Sequence, residues 1–131
     1  MVTDREYVLT LSQFLDSLND PSSWIDFSDS ITLIDSLYEF TPTGFRNGQA
    51  VSSPEQNHGS CKILTFSQLQ GFNEHQTLLC FGDFYKAVAK SPDGDDHQNI
   101  REFIACGWSG VVFDGLALTP IKSAPFATEV N

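Results

Sequence analysis

Apolar side chains recur along this chain at helical spacing in some stretches and in alternation in others, and the changes between the two mark its elements. Leu11, Phe14, Leu15 and Leu18 form one helical stripe. It starts behind Thr10 and Gln13, a hydroxyl and an amide three residues apart that can cap each other's backbone, and Asn19-Asp20-Pro21 ends it. Thr3 with Glu6 offers a second start of the same chemistry. The next helix is predicted from Ser28 or Asp29 as cap, with Ile31, Ile34, Leu37 and Tyr38 on one face and Pro42 as its limit. Between Ser60 and Gln70, Ile63, Leu64 and Phe66 would also fit a short strand, but Ser60 as cap and Gly71 as terminator favour a helix. Asn73 with Gln76 opens a fourth helix whose inner face reads Leu78, Phe81, Phe84, Tyr85 and Val88. Gly82 within it predicts close packing. Asp95 or Asp96 caps a fifth, with Ile100, Phe103 and Ile104 turned inward, Gly107 as a left-handed stop and Trp108 folded back on the last turn.

Two stretches read as ribbons. Phe45 to Val51 encloses Asn47-Gly48, a pair suited to a two-residue hairpin turn with positive φ at both positions. Val111 to Leu118 places Asp114-Gly115 between two apolar arms in the same manner. Isolated two-stranded ribbons are marginal, so these should join each other or pack on the helices. The expected fold is α+β: a helix-dominated single domain over residues 1–131, with about five helices and a small sheet of short hairpin strands. Its core is expected over about residues 11–118, with an irregular tail at 119–131.

Charge then narrows the partners. Seventeen acidic residues against seven basic ones give a net charge of -10, and the basic residues are scattered. A nucleic-acid or anionic-membrane binder needs clustered Lys and Arg, so neither partner is expected. Eight of the carboxylates fall in the first forty residues with one Arg, which makes either a face for a basic protein partner or a solvated helical surface. No apolar run reaches the length of a membrane span, and the N-terminus lacks the basic-then-apolar order of a secretory signal. A cytoplasmic location is expected. Cys61, Cys80 and Cys106 are odd in number and unpaired in spacing, as reduced and mostly buried thiols would be.

Five blocks carry a resemblance: Phe40-Thr41-Pro42-Thr43-Gly44-Phe45-Arg46-Asn47-Gly48; Gly59-Ser60-Cys61-Lys62; Cys80-Phe81-Gly82-Asp83; Asp96-His97-Gln98-Asn99-Ile100-Arg101; and Gly107-Trp108-Ser109-Gly110 with Phe113-Asp114-Gly115. In order and spacing, from about Leu11 to Leu118, they resemble the HopJ (HopPmaJ) family. That resemblance implies an effector delivered by a type III secretion system into a host cell. It brings no agreed enzymatic activity and no established catalytic residues.

Read for chemistry, the residues nominate Cys61 first. Behind a Ser60 cap it would sit in the first turn of a helix, where the dipole and Lys62 favour a thiolate. His97 would then serve as base and Asn57 or Asp96 as the orienting group, the arrangement of a cysteine-dependent hydrolase or acyltransferase. His58 is nearer in sequence. Against this, a Cys on an apolar helix face is ordinarily inert packing. Asp93, Asp95, Asp96 and His97 are the densest run of potential metal ligands, but Gln98 and Ile104 stand where an EF-hand needs Gly and Glu, and an Asp-rich turn before a helix explains the run without an ion. His58, Cys61, His75, Cys80, His97 and Cys106 have the right atoms for zinc at irregular spacings. Phe14, Phe81, Phe84, Phe103 and Phe113 read as core, Trp24, Phe40 and Phe45 as candidates for a groove, and Arg46 and Arg101 as internal ion-pair partners. No phosphate loop, hydrolase elbow or zinc-protease motif occurs, so no cofactor and no metal is assigned. The leading expectation is a HopJ-like effector that works by binding an unidentified protein partner, with the Cys61 enzyme as the alternative.

Overall fold

A computed structural model describes residues 9–121. Its organising element is α3 (His58–Gln70), in which Cys61, Ile63, Leu64, Thr65, Phe66 and Ser67 are all buried. Those positions run round the full circumference, and a helix without a solvent stripe has to lie at the centre of its core. The other elements wrap it. Phe66 meets Phe14 edge-on at 5.9 Å, Tyr38 at 6.1 Å and Phe72 at 5.8 Å. Each such edge-to-face pair adds about 0.5–1.5 kcal/mol to the gain from burial.

Phe14 comes from α1 (Leu11–Leu18), which begins with the capping box of Thr10 and Gln13. The start at Thr3 lies outside the described residues. In α2 (Phe27–Leu37) the N-cap is Asp26, ahead of the predicted Ser28 or Asp29. Asp29 acts one turn in, its carboxylate accepting the Asp26 N–H at 3.1 Å, while Asp83 accepts the Phe27 N–H at 3.0 Å. The helix also stops well before Pro42, because Tyr38 turns extended and opens strand β1 (Tyr38–Phe40).

The expected ribbons pair differently. Strands β2 (Phe45–Asn47) and β3 (Ala50–Ser52) form the first hairpin, with Asn47 opposite Ala50. The turn is therefore Gly48-Gln49 instead of Asn47-Gly48, with positive φ at Gly48 alone, the geometry of a type II′ turn. Asn47 belongs to the strand because its amide is needed in the core: Nδ2 donates to Asn99 O at 2.7 Å and to Asn99 Oδ1 at 3.0 Å. The arms around Asp114-Gly115 do not pair with each other. β4 (Val111–Phe113) joins β2 to complete a sheet of order β3-β2-β4, and β5 (Leu118–Pro120) pairs with β1. Thr119 and Pro120 thus belong to a strand, and residues 122–131 lie outside the described part.

Among the described residues six α-helices stand where about five helices were expected. The periodicity from Asn73 to Val88 is cut at Gly82 into α4 (Glu74–Leu79) and α5 (Asp83–Lys90). Gly82 has φ 58 and ψ -126, and a Cβ there would run into the backbone of Ile25, Asp26 and Phe27. The predicted close packing is real, and it ends one helix and starts another. The last helix, α6 (Gln98–Cys106), is entered from His97 with no carboxylate cap, and Gly107 stops it at φ 64 while Trp108 folds back edge-on to Phe103 at 5.0 Å. With the short sheets this is the α+β architecture anticipated.

Two glycines test the packing argument. Gly82→Ala is expected to cost more than about 3 kcal/mol, because backbone strain and a collision with the start of α2 add together. Gly71→Ala has positive φ but open space around it, so strain alone should cost about 1–2 kcal/mol. Urea unfolding of the two variants against the parent chain measures both.

Candidate functional site

The chain enters α3 through Asn57, a left-handed residue at φ 55 whose Nδ2 donates to Ser52 Oγ at 2.8 Å. It enters α6 through His97, left-handed at φ 52. Among non-glycine residues this conformation is uncommon, and Asn and His are two of the types that tolerate it best. In the described chain only these two non-glycine residues adopt it, and both face one cleft of about 350 Å³. Arg101 holds the approach to α6 in place, donating to Ser91 O at 2.7 Å and to Asp96 Oδ1 at 2.6 Å.

One wall of the cleft is aromatic. Phe27 and Phe84 meet at 4.8 Å, and the His97 ring stacks on Phe84 at 5.1 Å. Gly59 makes room for that wall: a Cβ there would stand 2.7 Å from Phe27 Cζ. The opposite side is made by the first turns of α3 and α6, at Gly59, Ser60, Gln98 and Asn99. Neither helix has a side-chain cap, so their opening N–H groups lack the partner that Thr10 gives α1 and Asn73 gives α4. In a chain of 17 acidic residues no carboxylate lines this cleft.

Of the sequence candidates, Asn57 and His97 are brought into one cleft, and Cys61 is not part of its lining. The helix begins three residues earlier than a Ser60 cap would place it. The Cys61 N–H therefore already bonds Asn57 O at 3.0 Å inside the helix. The thiol is fully buried, with Sγ 3.6 Å from Thr43 O, and burial pushes its pKa up. A nucleophile needs the opposite shift. Asp96, the other orienting candidate, is engaged by Arg101, whose hydrogen bond holds its carboxyl below the ordinary range, and it lies 3.9 Å from His97 Nε2. His58 Nε2 meets Pro54 O at 2.7 Å, and its ring lies against Phe40.

No group of three or more His, Cys, Asp and Glu among the described residues is placed to hold a metal. Phe14, Phe81 and Phe103 are core as expected, whereas Phe84 is 36% exposed and forms cleft wall instead. Phe45 is buried in the core; Trp24 lines a separate cleft with Pro21 and Leu79, as expected, and lies beneath Lys86, while Phe40 lies beneath Lys62. Arg101 makes its internal ion pair with Asp96, while Arg46 stands exposed between Val51 and Val112 on the outer sheet face. Sequence reasoning missed Ser60, Gly59 and Asn99 as neighbours of His97. Their one signal was that two of the five resemblance blocks contain them.

A model of the HopJ type III effector protein family matches residues 11–118. The chain belongs to the HopJ family. This HopJ chain is also similar to the crystal structure of VPA0580, a protein of unknown function, with a TM-score of 0.83 and 40% identity across 88% of this chain and 97% of that one. None of the curated proteins compared with it matches. No helix among the described residues of the HopJ chain is long and apolar enough to cross a membrane.

Thiol chemistry tests the burial argument. With a mild alkylating reagent near neutral pH, native protein should label at the exposed Cys106, and Cys61 and Cys80 only once urea unfolds the chain. Fast native labelling at Cys61 would restore it as a nucleophile. The Cys80 thiol is pushed from 9.0 up to about 12 by burial. Folded chains therefore keep a proton there that unfolded chains release above about pH 9, and stability declines as pH rises toward about 12. In Cys80→Ser the decline should be shallower by up to about 1.4 kcal/mol per pH unit, measured by urea unfolding across that window.

Proposed function

We propose that this HopJ-family protein is a translocated effector that acts by binding, with the Asn57–His97 cleft as its recognition surface and Cys61 as packing. Family membership supports export and delivery. The observation that carries the binding reading is the division of the three candidate residues: Asn57 and His97 line an open cleft, and the Cys61 sulfur is buried outside it. Acyl transfer needs an exposed thiolate within hydrogen-bond reach of its base. Here burial shifts the thiol away from the charged form. The cleft offers hydrogen-bond donors, an imidazole and an aromatic wall, which are recognition groups that need no nucleophile.

Export is tested by fusing the N-terminal segment to a reporter in a strain that possesses the secretion apparatus and in one that lacks it. Export dependent on the apparatus is the expected result. Equal retention in both strains would leave a protein that stays in the cell that makes it.

A further inference from the structure

We propose that the cleft beside Trp24, where α1 ends against α4, is a binding site for a short neutral saccharide, one pyranose ring lying on the indole and its hydroxyls meeting the polar rim. The cleft encloses about 490 Å³, and its lining shares no residue with that of the Asn57–His97 cleft. It is therefore a second site, and its failure would leave the binding reading above untouched. A space of this size admits a disaccharide.

The platform is Trp24, which is 43% exposed and lines the cleft. Lys86 holds the ring in place, its ammonium 4.1 Å from the ring centroid, and Lys86 itself is not part of the lining. One ring face is thus engaged while the indole still borders the open space. The face of an aromatic ring carries partial negative charge, and the C–H groups on one side of a pyranose present a matching, weakly positive surface. The Trp24 Nε1–H is also free for a hydroxyl: that of Trp108 donates to Phe72 O, whereas that of Trp24 has no partner among the described residues.

The rim is polar and already oriented. Asn73 Oδ1 accepts the Gln76 N–H at 2.8 Å, and Gln76 Oε1 accepts the Asn73 N–H at 2.9 Å. Gln76 Nε2 donates to Asn19 Oδ1 at 3.2 Å, which ties α4 to the end of α1. Asp20 Oδ1 accepts from the N–H and the hydroxyl of Ser22, at 3.0 and 2.8 Å. These bonds pin planar side chains by one end. The other ends, Asn73 Nδ2 and Asp20 Oδ2, make no hydrogen bond among the described residues. An NH₂ offers two donors and a carboxylate oxygen accepts, which matches neighbouring hydroxyls that do both. Groups oriented before a ligand arrives lower the cost of ordering the complex. Charge disfavours ionic ligands. No Lys or Arg lines the cleft to meet an anion, and the Lys86 ammonium already stands over the ring that a cation would seek.

The test is amide-resolved NMR titration of the full chain with cellobiose and N,N′-diacetylchitobiose, and with glycerol and L-argininamide for comparison. At least one disaccharide is expected to shift the Trp24 indole N–H and the Asn73 side-chain amide with a Kd of about 5 mM or tighter. Glycerol, which has hydroxyls but no ring, should leave both unmoved, and argininamide should bind more weakly than the disaccharide. Trp24→Ala should weaken disaccharide binding at least about tenfold. Asn73→Asp keeps the oxygen that caps α4 and replaces only the NH₂. It should weaken binding at least about threefold with the urea midpoint unchanged. Ser12→Ala, on the exposed face of α1, should change nothing. No shift with either disaccharide at about 100 mM, or undiminished binding in Trp24→Ala or Asn73→Asp, would overturn the site. Argininamide binding as tightly as the disaccharide would replace it with a site for a basic side chain.

Discussion

The rest of the structure depends on α3 having no face to spare for water. Cys61, Ile63, Leu64 and Phe66 point to different sides of one helix and all are buried, so every flank must be covered by another element. α1 covers it with Phe14, β1 with Tyr38, and the turn after α3 returns Phe72 to the same ring of Phe66. Ser30 on α2 donates to Cys80 O, and Ser67 on α3 lies beside the Cys80 thiol, which joins three elements by polar contacts inside the core. A 131-residue chain achieves this with short helices and three-residue strands because each only has to seal part of one cylinder.

That central position also determines where a site can form. A helix buried along its length can offer only its ends to solvent, and the C-terminal end is closed by Gly71 and the return of Phe72. At the other end, the Asn47–Asn99 hydrogen bonds draw α6 against the hairpin that leads into α3, so the two helix starts come side by side. Gly82 brings the start of α5 against the start of α2 and sets Phe84 beside Phe27. The cleft is thus a consequence of packing.

Much of the chemistry was visible as residues and hidden as neighbours. Asn57 and His97 drew attention as partners for Cys61, and they do share a cleft, but the thiol that motivated them turns inward. The error came from one cap. Ser60 looks like an N-cap because hydroxyls commonly are, yet the helix starts at His58 behind a left-handed Asn57, and three residues of extra helix carry Cys61 into the core. Asp95 and Asp96 mislead in the same manner, since Arg101 claims Asp96 and His97 takes the cap position.

What the sequence by itself determined is local: the capping boxes at Thr10 and Asn73, the apolar stripes, the stops at Gly71 and Gly107, and the place of the hairpin near Gly48. Each depends on atoms within four residues of one another, so the pattern alone specifies it. What only the tertiary structure decided is partnership. The arms around Asp114-Gly115 look like one hairpin and enter two sheets, one helix becomes two where Gly82 meets another backbone, and Asn99 acquires its orientation from Asn47, 52 residues away. Those outcomes are set by which surfaces α3 leaves to be covered, a through-space constraint that sequence separation does not encode.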